Sequence, residues 1–248
     1  MSLATWWIND PLPVLPTLSD FDVRPAQDDP ELAALARLPI AEVEARRAAG
    51  HRPYVGYSAD LPVSYGWVAT HSASIGELDL TFDLPQSDRY LWDFATLPEQ
   101  QGRGLYPRLL QSIALQEAGA AQRLWIIHAP ENLPSGAGMR KAGFEAVGQL
   151  SFRADQRVGL MPIGLMARAL AGAELLGVPL IDADLAPCWC CAGAARLPST
   201  IASCWPSMGT RPEVCTCATA IRRSGDRRDL DRRAVAQKHG ASPLFRHT

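Results

Sequence analysis

Residues 90–119 read YLWDFATLPEQQGRGLYPRLLQSIALQEAG, and the rest of the chain is organised around them. Tyr90–Thr96 is a short aromatic and apolar strand. Leu97-Pro98-Glu99 marks a turn, and Gln100-Gln101-Gly102-Arg103-Gly104 is a glycine-bearing loop. Leu105, Leu109, Leu110, Ile113 and Ala114 then share one face at 3.6-residue spacing, which predicts a packed helix to Ala118 with Gly119 as its terminator. Pro107 sits in the first turn, where a missing N–H costs nothing.

A strand, a glycine loop and a helix start together make an anion site. Glycine lets the main chain approach a ligand closely, and the first N–H groups of a helix have no internal partner. The helix dipole makes that end positive, so a phosphate or diphosphate is the natural guest. The spacing excludes two common solutions. G-x-x-x-x-G-K-[ST] is absent, and Pro107 stands where the third glycine of a dinucleotide fingerprint belongs.

Pro98-Glu99-Gln100-Gln101-Gly102-Arg103-Gly104-Leu105-Tyr106, after a strand and before a helix, resembles motif A of the GCN5-related N-acetyltransferase (GNAT) superfamily. In that motif, Arg/Gln-x-x-Gly-x-Gly/Ala, backbone amides hold the pyrophosphate of coenzyme A. Gln101 and Gly104 match, and Tyr106 stands where a final Gly or Ala is usual. Asn132-x-x-Ser135 followed by Lys141-Ala142-Gly143-Phe144 is similar to a later motif of the same family, whose asparagine and helix contact the cofactor.

The order of predicted elements agrees with the resemblance. Residues 1–19, with Trp6, Trp7 and prolines at 11, 13 and 16, read as an N-terminal arm whose aromatics cover an edge of the core. Phe21–Pro25 is a strand, Asp28-Asp29-Pro30-Glu31 caps a helix to about Leu38, and Ile40–Ala49 makes a second helix closed by Gly50. Tyr54–Ser58 and Val63–Ala69 form a hairpin, and Glu77–Phe82 alternates as a third strand. Leu124–His128 is a buried strand, Leu133–Ala142 a helix ended by Gly143, and Glu145–Phe152 a closing strand. The implied fold is α/β of the α+β kind. It has a mixed, mostly antiparallel sheet flanked by helices over residues 20–160, with a cysteine-rich C-terminal extension.

The resemblance implies an acetyl-CoA-dependent N-acetyltransferase, with direct attack of an amine on the thioester. Leu97, Gln101, Gly102, Arg103, Gly104 and Leu105 are the implied pyrophosphate contacts, and Asn132 and Ser135 flank the pantetheine. A backbone N–H between Phe94 and Leu97 would hold the thioester carbonyl. Asp93, eight residues before Gln101, occupies a position that is often acidic. It is read as the base, with its neighbours Trp92 and Phe94 on the other face; the alternative is a structural acid paired with an arginine. Glu77 and Asp79 are weaker candidates. Relatives often carry a proton-donating tyrosine four residues before Gly143-Phe144, and here that residue is Met139. Tyr106, Ser135 and His128 are the substitutes, with His128 read as a packing residue.

The acceptor is an amine of a small molecule or peptide whose identity no motif specifies. The alternative function is a catalytically degenerate acyl-CoA sensor or a docking module acting through its tail.

Residues 161–180 hold an Ala/Leu-rich helix that can cap the sheet, pair two subunits as a homodimer, or connect to the extension. All six cysteines fall between 188 and 217. Cys188-x-x-Cys191 with Cys215-x-Cys217 supplies the four thiolates of a structural zinc site, with Cys190 or Cys204 as replacements. Disulfides and free thiols are the other readings. Residues 221–248 carry eight Lys/Arg against three Asp, a net of +5 that leaves −7 on the rest of a chain whose total is −2. This stretch reads as a basic, flexible tail, with nucleic acid a minority partner because no aromatics interleave with the charges. Nearly half the residues are apolar, enough for a core. There is neither a membrane-spanning run nor a basic-then-apolar start, so a cytoplasmic, reducing location is expected.

Overall fold

The computed structural model describes residues 1–153 and 156–181. Met1–Leu150 and Val158–Ile181 form one compact unit, and Ser151–Arg157 falls to a second. In chain order the elements are β1 (Ser2–Trp7), β2 (Phe21–Pro25), α1 (Asp29–Ala36), α2 (Ile40–Ala48), β3 (Arg52–Ser58), β4 (Leu61–Ala69), β5 (Ser72–Ile75) and β6 (Leu80–Asp83). They continue with β7 (Asp88–Thr96), α3 (Leu105–Glu117), β8 (Arg123–His128), α4 (Leu133–Ala142), β9 (Glu145–Phe152), β10 (Val158–Pro162) and α5 (Met166–Leu176).

Among the described residues eight strands make one sheet in the order β10-β9-β1-β8-β7-β4-β3-β2, and β5 and β6 form a separate hairpin. β7 and β8 run parallel, whereas β1–β8, β1–β9, β2–β3, β3–β4 and β4–β7 are antiparallel. The fold is therefore mixed α/β with a mostly antiparallel central sheet.

Each face of the sheet has its own helices. Leu109, Leu110 and Ile113 of α3, with Met139 and Ala142 of α4, close over Tyr54, Val68, Leu91, Leu124 and Ile126. Leu32 and Ala36 of α1 and Val43 of α2 close over Val55, Tyr65 and Trp67. Consecutive residues such as Trp67 and Val68 go to opposite cores, as strand pleating requires. α5 covers the sheet as well: a Cβ on Gly172 would lie 2.7 Å from Leu3 and 3.3 Å from both Trp125 and Val147. Of the three roles open to that helix, capping the sheet is the one the packing supports.

The N-terminal stretch departs from expectation. Ser2–Trp7 is a paired strand between β8 and β9 rather than an arm over an edge. Leu3, Ala4, Thr5 and Trp6 are all buried, so the strand lacks the two-residue alternation that announces a half-exposed one.

Glu77–Phe82 also differs. Gly76–Leu78 is a 3-10 turn, Asp79 takes φ 50°, and only Leu80–Asp83 is strand, paired with β5. Gly119 does not end α3 in a left-handed turn; α3 leaves through Ala118 in a right-handed conformation. Gly143, at φ 98°, ends α4 as expected.

Candidate functional site

The parallel ladder between β7 and β8 pairs Asp88 with Arg123, Arg89 with Leu124, Tyr90 with Trp125 and Leu91 with Ile126, and stops there. Beyond it the two strands no longer pair among the described residues, which leaves an opening, a V, between them. The closed end is locked by buried Asp88, which takes Arg123 Nε at 2.9 Å and Trp125 Nε1–H at 2.8 Å. Nearby, Glu117, only 1% exposed, accepts from Arg89 Nε at 2.9 Å, Arg52 Nη1 at 3.1 Å and Tyr54 OH at 2.7 Å. That network ties the end of α3 to β3 and β7.

At the mouth of the V the β4–β7 register slips between Tyr65 and Trp67, leaving Asp93 and Phe94 against Gly66 alone. Asp93 takes φ 49°, a left-handed conformation that costs an L residue roughly 1–2 kcal/mol. A bulge of this kind bends the strand that carries it. Gly66 makes the bend possible, because a Cβ there would sit 2.1 Å from the Phe94 ring.

The bulge also undoes the alternation expected around Asp93. Trp92 and Asp93 both meet Arg46 of α2, and Phe94 alone turns to the α3 side. Asp93 Oδ2 accepts from Arg46 Nη1 at 2.5 Å. The proposed base is thus engaged in an ion pair, which is the structural-acid alternative.

Past the bulge, Leu97 N–H donates to Val63 C=O at 2.9 Å and its C=O accepts from Gln100 N–H at 2.8 Å. Leu97 therefore has no main-chain donor left for a ligand. Hydrogen-bonded and non-hydrogen-bonded pairs alternate along an antiparallel ladder. Thr96, opposite Ser64, consequently turns its main-chain groups away from β4. Its C=O takes the Gln101 side-chain amide at 3.1 Å, and its N–H points to the edge of β7 away from β4.

Gly102 and Gly104 both take left-handed conformations, φ 75° and 73°. Gly104 is the N-cap of α3 and offers no side chain to the first turn. Among the described residues, no backbone hydrogen bond uses the N–H of Gly102, Arg103 or Gly104. A Cβ on Gly102 would meet nothing within 4 Å, so the need for glycine there is conformational. The Arg103 guanidinium folds back onto the Gln100 side chain, and Leu105 is buried at 2% exposure. Leu105 accordingly has only its main chain to offer.

Across the mouth, Asn132 caps α4 by accepting Ser135 N–H at 3.1 Å. Ser135 Oγ lies 3.3 Å from Tyr106 OH. The Tyr106 ring packs edge-on against Phe94, centroids 5.7 Å apart, and burial pushes its phenol up to about 12. This explains the unusual tyrosine after the glycine loop. A Cβ on Gly138 would lie 2.3 Å from Tyr106 Cδ1, so a glycine in α4 makes room for the ring. Gly136 does the same for His128, 2.9 Å from a Cβ there. His128 Nδ1–H donates to Ala129 C=O at 2.8 Å, and burial holds the ring below its ordinary pKa.

The structure thus brings together Thr96, the Gly102–Leu105 loop, Tyr106, Asn132 and Ser135. Asp93 stands at the bulge on the α2 side. Glu77 is exposed beside the β5–β6 hairpin, as is Asp79, outside this group. One residue escaped the sequence reading, and another was read on the wrong face. Arg46 looks like an ordinary helix-surface partner of Glu42, and nothing in its spacing points to Asp93. Trp92, whose Nε1–H donates to His51 Nδ1 at 3.0 Å, gives no sign of the bulge beside it.

Cys188, Cys191, Cys215 and Cys217 lie outside the described residues, as does the basic tail. Among the described residues no group of three or more His, Cys, Asp or Glu forms a metal site. Nor is any helix among them long and apolar enough to cross a membrane.

No family model and no curated protein matches the sequence. Among solved structures the chain is similar to a GCN5-related N-acetyltransferase from Kribbella flavida, with 16% identity over 58% of this chain and 53% of that one, TM-score 0.42. It spans about half the length of that protein. It is also similar to a GNAT-family acetyltransferase from Streptococcus pneumoniae, with 16% identity over 54% and 89% of the two chains, TM-score 0.41. An aminoglycoside N-acetyltransferase in complex with CoA shares 16% identity over 56% of this chain and 97% of its own, TM-score 0.44.

Proposed function

We propose that this chain moves an acetyl group from acetyl-CoA to a primary amine of a small molecule or peptide by direct attack. The supporting observation is one strand that carries both the end of the parallel ladder and, at its own end, a glycine loop with two left-handed residues and amides that are unpaired among the described residues. A diphosphate needs converging N–H donors, and Gly102, Arg103, Gly104 and Leu105 offer them at the positive end of α3. Gln101 braces the loop against Thr96. Asn132 and Ser135 flank the pantetheine.

Acetyl-CoA supplies the thioester: the amine forms the new N–C bond as C–S breaks, and the sulfur leaves as thiolate. Thr96 N–H is the donor for the carbonyl oxygen on which charge develops. Tyr106 is protonated throughout the neutral range, because burial holds its pKa at about 12. So weak an acid serves the leaving thiolate as a hydrogen-bond donor, shared with Ser135, more readily than as a full proton source. The amine sheds its proton to water, since Asp93 is paired with Arg46.

Thiol release from acetyl-CoA against a panel of primary amines tests this reading. Release that depends on an amine supports it. Binding of acetyl-CoA without release on any amine favours the sensor, whose own support is Met139, buried at 3% exposure where the resemblance places a tyrosine.

A further inference from the structure

Asp93 holds a strained conformation in mid-strand, and something must keep it there. Its Oδ2 accepts from Arg46 Nη1 at 2.5 Å, while Arg46 Nε donates to Glu42 Oε1 at 2.9 Å. The Arg46 guanidinium lies 4.6 Å from the centre of the Trp92 ring and 5.2 Å from that of Trp67. Trp92 is in turn fixed by His51, through the Nε1–H···Nδ1 bond and an edge-on contact at 5.1 Å. On the opposite face the Phe94 ring fills the space that Gly66 leaves. The residues before and after Asp93 are thus gripped from opposite faces of the sheet, and Arg46 supplies the grip on Asp93 itself. The Arg46 side chain is 15% exposed and that of Asp93 21%, so the pair is shielded enough to resist screening.

We propose that Arg46 is a positioning residue for acetyl transfer: through Asp93 it holds the β7 bulge, and the bulge sets the splay into which Thr96 presents its N–H. This rests on the acetyl-transfer reading. In it Asp93 is a hinge pin with no proton to move. The fork of an arginine suits the task, since one guanidinium reaches Glu42 and Asp93 at once while it stays within 5.2 Å of the centres of two indole rings, which the single ammonium of a lysine cannot match. Asparagine at 93 would still accept from Arg46 and tolerates the left-handed region better than most residues.

The test uses the full chain, with the amine that gives the fastest thiol release from wild type. Arg46→Met should lower kcat at least tenfold and leave the dissociation constant for acetyl-CoA within about twofold, because the diphosphate loop is untouched. Arg46→Lys, a fallback should the methionine variant fold poorly, should have a kcat between those of Arg46→Met and wild type. Asp93→Asn should keep kcat within about fivefold and retain the shape of the wild-type pH–rate profile. Adding Asp93→Gly to Arg46→Met should recover part of the lost kcat, as glycine adopts the conformation unaided. A hundredfold loss in Asp93→Asn with disappearance of the acidic limb of the profile would make Asp93 the base and overturn the proposal. Unchanged kcat in both Arg46 variants would overturn it too. Absence of thiol release by wild type with every amine is the separate result that defeats the underlying reading.

Discussion

Tyr106 meets Phe94 edge-on at 5.7 Å and reaches across to within 3.3 Å of Ser135 Oγ, so one side chain joins the bulged strand to the first turn of α4. The bulged strand and α4 are thus bridged beside the V by a residue that the glycine loop itself delivers. Removing only the hydroxyl should spare the fold and weaken the chemistry. Tyr106→Phe is expected to lower kcat about five- to tenfold while thermal stability moves little, read by thiol release and a melting curve.

The glycine beneath that ring sets two effects against each other. Alanine in place of an interior helix glycine gains about 1 kcal/mol of helix propensity. At Gly138, however, the new methyl would lie 2.3 Å from the Tyr106 ring, and overpacking costs about 1–3 kcal/mol. The clash should win. Gly138→Ala should be destabilised in urea titration, and Gly138→Ala with Tyr106→Ala should recover the propensity gain.

Acid and alkali act on different groups. His51 and His128 have pKa values lowered by burial, so the unfolded chain binds their protons first as pH falls below 6.5. Stability is then lost downward from that pH. Tyr106 is raised from 10 to about 12, which makes its contribution complete below pH 10 and lost as pH climbs through 12. Buried Tyr54 and Tyr90 shift in the same direction. Melting temperature against pH should fall on both sides of a neutral plateau. A plateau unbroken to pH 12 would contradict the burial of these phenols.

The lock at the closed end separates a buried ion pair from an exposed one. Glu117→Gln strips the charge that balances Arg89, whose side chain is 6% exposed. Breaking such a pair from one side costs about 3–5 kcal/mol. Arg52, with a side chain 53% exposed, contacts the same carboxylate from solvent, so Arg52→Ala should cost at most about 1 kcal/mol. Denaturant midpoints of the two variants decide whether the network is organised as described.

What the sequence disclosed follows from which signals are local. The glycine loop, the apolar stripe of α3 and the left-handed Gly143 are written in adjacent residues, and each stands where expected. β1 was hidden because a strand buried on both faces has no period to read, and prolines 11, 13 and 16 after it suggest an arm. The bulge at Asp93 depends on Gly66, Phe94 and Arg46, which are far apart in the chain, and no spacing rule links them. Gly136 and Gly138 look like weaknesses in a helix until the rings of His128 and Tyr106 are seen against them.

The central claim is that main-chain donors around Gly102 and Gly104 hold the diphosphate of acetyl-CoA, and calorimetric titration of wild type against Gly104→Val tests it most directly. Valine cannot take φ 73° without strain, and its Cβ would lie 2.7 Å from Arg108 Nη1. With melting curves showing both proteins folded, the account predicts affinity for acetyl-CoA at least tenfold weaker in the variant. Equal affinity in the two folded proteins would contradict it.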